Sequence, residues 1–136
     1  MKTTFIDSNI VIYHLLQNHP NHSPRSSALF LAIALGKETG GIGPTVIFEA
    51  IFTMSRGEKA PRRLIRDGIE SILRLTHISC QERDLLLQTL DLWVKEPPLS
   101  FADCYHLLYA RHLGLTQIYT FDKKMNRLPG VTRIEP

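Results

Sequence analysis

Four acidic residues stand inside apolar surroundings or at joints between regular elements: Asp7, Glu49, Asp103 and Asp122. Asp7 interrupts TTFIDSNIVIYHLL, where Thr4, Phe5 and Ile6 read as the end of a buried strand. Ile10, Val11, Ile12, Leu15 and Leu16 then read as a helix pressed onto a core. Glu49 lies within TVIFEAIFTM, surrounded by Val46, Ile47, Phe48, Ala50, Ile51 and Phe52, with no basic residue three or four positions away. That helix is expected to be largely buried, and a buried glutamate neutralises, pairs or coordinates a cation. Asp103 falls in the first turn of SFADCYHLLYARHLG, and Asp122 closes QIYTF. Carboxylates gathered in one cleft repel each other, a penalty that a hard divalent cation reverses. Mg²⁺ prefers oxygen ligands and also accepts phosphate oxygens, so such a set suits phosphodiester hydrolysis.

Each acid also has a plainer use. Asp7 would cap the helix starting at Ser8, Asp103 would be the acidic half of a capping box with Ser100, and Asp122 would cap the short KKMNRL turn. Capping and metal binding are compatible at one residue. Other chemistries find less support. His19 and His22 sit in the Pro/Asn turn NHPNH without a cysteine partner and read as a solvated loop, not a zinc site. Cys104 and His106 are two apart on a helix and point to different faces. No GxGxxG or GxxxxGKS stretch is present to cradle a nucleotide.

The elements that must position these acids follow from periodicity. Strands are expected near Thr3–Ile6, Gly41–Gly43, Thr76–Ser79, Gln117–Phe121 and Val131–Ile134. Helices are expected at about 8–17, 24–36, 45–56, 60–75, 81–95 and 101–113, the second with Ser23 as its N-cap. Short strands alternating with longer helices imply an α/β fold with a mainly parallel central sheet of four to five strands, in a single domain over 1–136. Ligands of such sheets bind beyond the carboxyl ends of the strands, where Asp7 and Asp122 fall. A composition 43% apolar and 21% charged is that of an ordinary soluble globule. No apolar run approaches the roughly 18 residues of a membrane span. The lone thiols Cys80 and Cys104 suit a cytosolic protein, and a net charge of +3 hints at a polyanionic partner.

FIDSNI, TVIFEA, SFADCYHLLYARHLG and IYTFDKKMNRLPGV, taken in that order, resemble the PIN-domain nucleases over essentially the whole chain. The likeness is strongest to the small VapC-type toxins of toxin–antitoxin pairs. That resemblance implies a cytoplasmic endoribonuclease dependent on Mg²⁺ or Mn²⁺ (one or two ions), a homodimer, inhibition by a cognate antitoxin, and 5′-phosphate and 3′-hydroxyl product ends. Asp7, Glu49, Asp103 and Asp122 match the acidic metal positions. Ser8 or Asn9 and Thr120 match polar residues that orient water, carboxylate or phosphate. Family members often carry another acid shortly after the last aspartate. This chain has Lys123, Lys124 and then Asn126, which leaves the metal count open. The alternatives are a catalytically weakened RNA- or protein-binding module and an RNA-processing nuclease that is not a toxin. For RNA, Lys123, Lys124 and Arg127 lie nearest the acids. RGEKAPRRLIR adds Arg56, Lys59, Arg62, Arg63 and Arg66 against the single acid Glu58.

Overall fold

The computed structural model of the chain describes residues 2–136. It forms two compact units, one running through Arg83 and the other from Asp84 to Pro136.

In the first unit, β1 (Thr3–Phe5), β2 (Thr39–Ile42) and β3 (Ile78–Cys80) form a parallel sheet with β2 central. Thr3 pairs with Thr39 and Gly40 with Ile78. The helices are α1 (Ser8–Leu16), α2 (His22–Ala34), α3 (Pro44–Phe52) and α4 (Arg62–Leu73). Helix α1 packs on both α2 and α3. Ile6, Val11, Phe30, Ile33, Ile42, Ile47, Ile51, Ile69 and Ile78 are buried and form this core. Gly40 is required by packing, because a Cβ there would lie 2.4 Å from Ile6 Cδ1 and close to Ile78 and Ile33.

The second unit contains most of α5 (Arg83–Lys95), then α6 (Phe101–His112), β4 (Gln117–Tyr119), a 3₁₀ turn (Lys123–Asn126) and β5 (Thr132–Ile134). Strands β4 and β5 also pair in parallel, Gln117 with Thr132. Leu86, Leu90, Trp93, Leu99, Leu107, Met125 and Val131 are buried here, with Trp93 edge-on to Phe101.

All five expected strands are present and every pairing is parallel, hydrogen-bonded as one ladder of three and one of two. The six expected helices are also present. Three local readings change. Strand β1 is exposed rather than buried, being the edge of its ladder, and only Ile6 beyond it enters the core. The helix expected over 45–56 switches at Thr53 to a π-helical turn, Thr53–Gly57. Ser23 is not the N-cap of α2, which starts at His22. There the ring of His19 accepts from the backbone N–H groups of Asn21 and His22 through Nδ1, at 3.2 and 2.9 Å, while Ser23 Oγ accepts from His19 N. The NHPNH segment is therefore organised by its own imidazole, not a loop held only by solvent.

Among the described residues, no helix is long and apolar enough to cross a membrane. Among the described residues, neither Cys80 nor Cys104 forms a disulfide.

Candidate active site

The chain turns from β1 into α1 at Asp7. Its extended backbone (ψ 161°) lets the carboxylate accept from Ser8 N at 2.8 Å, so Asp7 is the N-cap of α1. Ser8 is itself buried, and its hydroxyl donates to Glu49 Oε1. The bond crosses from the first turn of α1 to the middle of α3. It ties a glutamate remote in sequence to the turn that Asp7 begins. Parallel pairing of Phe5 with Gly41 also sets the ends of β1 and β2 side by side, so Asp7 and the start of α3 share the carboxyl edge of the sheet.

Glu49 is exposed, which corrects the expectation of burial. Val46, Ile47, Ala50 and Ile51 form the buried stripe of α3, leaving Thr45, Glu49 and Phe52 on the outer face. Apolar neighbours in sequence do not surround a helical residue in space; those three and four positions away share its face. Asp7 is also exposed.

In the second unit, Asp103 and Ser100 form the expected capping box. Ser100 N donates to Asp103 Oδ2 at 3.0 Å, and Asp103 N donates to Ser100 Oγ at 3.1 Å. Asp122 N donates to Thr120 Oγ1 at 3.0 Å, and Asp122 Oδ1 accepts from Lys124 N at 3.0 Å. Thr120 thus fixes the turn that carries Asp122. The Lys124 ammonium lies 3.5 Å from Asp122 Oδ2. Helix α6 reverses through Gly114 (φ 76°) into β4, which packs along it. The N-terminus of α6 and the end of β4 consequently face the same end of this unit, and with them Asp103 and Asp122. Both are half-buried.

Among the described residues, no three His, Cys, Asp or Glu side chains form a group that could hold a metal ion. Each of the four acids offers carboxylate oxygens, the donor type that a hard divalent cation takes, and each spends one oxygen on a short fixed contact. Among the remaining site residues, Asn9 and Asn126 are exposed, as are Lys123, Lys124 and Arg127; Arg127 lies 3.7 Å from Glu96. In the other basic stretch, Arg56, Lys59 and Arg63 are exposed and Arg62 is half-buried. Arg56 sits 5.7 Å over the Phe52 ring, and Arg66 pairs with Asp67 at 3.0 Å. Sequence reasoning missed Arg133. Its guanidinium donates to the Thr120 carbonyl at 3.5 Å and pairs with Glu135 at 2.6 Å, bracing the turn before Asp122. A lone arginine on a strand carries no signal of such a role.

A family model described as the PIN domain matches residues 4–131. The chain belongs to the PIN-domain family. All four acids, Ser8, Asn9, Thr120 and the basic candidates lie within the matched PIN residues. Among solved structures, the chain is similar to the Mycobacterium tuberculosis toxin VapC20, described as cleaving the sarcin–ricin loop. Identity is 16%, over 91% of this chain and 93% of that one, with a TM-score of 0.41. Comparison with curated protein sequences finds no match.

Proposed function

We propose that this PIN domain is a metal-dependent endoribonuclease that hydrolyses RNA phosphodiester bonds, and that it is the toxin of a toxin–antitoxin pair. The observation that supports it most is the Ser8–Glu49 hydrogen bond next to Asp7. Ser8 bonds two acids, its backbone N–H donating to Asp7 and its hydroxyl to Glu49, an arrangement that capping alone does not require. Asp7, Glu49, Asp103 and Asp122 would hold Mg²⁺ or Mn²⁺, one ion or two. Once bound, such an ion supplies water activation and charge neutralisation at the phosphate.

The chain's own residues do the positioning. Ser8 orients Glu49, Thr120 orients Asp122, and the capping box fixes Asp103. Lys123 and Arg127 offer exposed cations to the RNA backbone, supported by Arg56, Lys59 and Arg63. A homodimer, an antitoxin partner and a cytoplasmic location complete the proposal.

A second reading, a PIN-like binding module with weakened catalysis, draws on Lys124, whose ammonium approaches Asp122 where a further acid often stands in the family. Cleavage of single-stranded RNA with and without millimolar Mn²⁺, in the wild-type chain and in Asp7→Asn, decides between them. The enzyme reading expects metal-dependent cleavage that Asp7→Asn abolishes. RNA retention without cleavage in either protein would favour the binding module. Expression without a partner should arrest growth, whereas harmless expression of an active enzyme would point to RNA processing.

A further inference from the structure

Within the first unit, α1 and α2 face each other across a cavity of about 450 Å³. Asn9 and Tyr13 line it from α1, and His22, Arg25 and Ser26 from α2, with aliphatic side chains completing the walls. Among the described residues, no acidic side chain lines this cavity. We infer that it is a nucleotide-binding subsite for the RNA chain, an inference that rests on the nuclease reading above.

The aromatic wall is preorganised. His19 and His22 stack at 3.8 Å with their planes 7° apart, and both meet the Tyr13 ring edge-on, at 5.3 and 4.9 Å. Flat rings held in this way suit a nucleobase, because every base presents a π-face for stacking. Ser26, on the same wall, presents a hydroxyl that can donate to or accept from a base edge. Asn9 adds an exposed amide for the same edge. Arg25 is exposed and has no carboxylate partner among the described residues, which leaves its planar guanidinium for a phosphate.

Location points the same way. Asn9 lies two residues beyond Asp7, in the first turn of the helix that Asp7 caps. An acidic peptide would use Arg25 but would have no need of the stacked rings.

The test uses the full chain and a labelled single-stranded oligoribonucleotide in EDTA, so that binding is read without cleavage. Both His22 and Arg25 are exposed, and thermal melts of His22→Ala and Arg25→Gln establish that each variant folds. Arg25→Gln is expected to weaken binding and lower the salt slope by about one. His22→Ala is expected to weaken it about fivefold or more and to change the base preferred near the cut. Wild-type affinity and cleavage pattern in both variants would overturn the subsite while leaving the nuclease reading intact. An acidic peptide lost by Arg25→Gln with RNA affinity unchanged would also overturn it and assign the cavity to a protein partner. RNA binding that depends on both residues, in a chain that cleaves nothing with Mg²⁺ or Mn²⁺, keeps the subsite and removes the nuclease reading.

Discussion

Glu49 of the first unit and the two acids of the second are held by different kinds of bond. Asp103 and Asp122 are fixed by partners two or three residues away, through a capping box and a short turn. Those contacts form with the local backbone and ask little of the tertiary fold. Glu49 is fixed by Ser8, 41 positions away in the chain, and only the packing of α1 on α3 brings the two together. Exposure runs the other way: Asp7 and Glu49 are exposed, while Asp103 and Asp122 are half-buried. Local bonds therefore secure the more enclosed acids, and a tertiary bond secures one of the open ones. A carboxylate that serves only as a cap can be replaced by another capping group, and one that serves chemistry cannot.

The largest expected effect tests that distinction directly. Asn caps a helix about as well as Asp, so Asp7→Asn should melt within about 1 kcal/mol of the wild type. It should nevertheless lose cleavage by about two orders of magnitude or more, as should Glu49→Gln, measured on a labelled RNA with Mn²⁺. If Asp7→Asn unfolds the chain instead, Asp7 is a structural cap and the comparison fails. Metal should also stabilise the wild type. At a hundredfold excess over Kd, binding to the folded state alone adds about 2.7 kcal/mol, read as a raised Tm that is largely absent in Asp7→Asn. Next comes Ser100→Ala, which removes half of the capping box. It should cost about 1 kcal/mol, or about 4 °C in Tm, with cleavage retained below the melting range. Asp103→Asn should show the opposite balance, with cleavage lost and Tm less affected. The smallest effect concerns pH. Burial lowers the His14 imidazole below its usual value. The unfolded chain then takes up its proton first as pH falls, so stability is full above the ordinary histidine range and declines as pH drops through it. His14→Gln should flatten that decline between about pH 7 and pH 5 in denaturant titrations.

The sequence made some of these elements plain and hid others for physical reasons. The Ser100–Asp103 box was legible because both halves of its signal sit three residues apart and act on the same backbone turn. The Asp7 joint was legible because an acid between an apolar strand and an apolar helix has few places to go. The orientation of Glu49 was not, since six apolar neighbours look like enclosure until the helix assigns Val46, Ile47, Ala50 and Ile51 inward and leaves Phe52 out. The start of α2 was hidden as well. Its orphan amides are met by an imidazole, a partner that capping rules based on Ser, Thr, Asp and Asn do not anticipate. The cavity between α1 and α2 depends on how two helices face one another, which periodicity alone does not fix.

The parallel pairing of every strand has a kinetic consequence. Thr3 must find Thr39, Gly40 must find Ile78, and Gln117 must find Thr132, so no strand can pair with its successor through a tight hairpin. Each pairing closes a long loop before it returns any hydrogen bonds, the slow route in folding. Until the loops close, the edges of the strands stand unpaired and open to strands from other chains. A newly made chain is most prone to aggregate in that interval, while its helices already have local reasons to form.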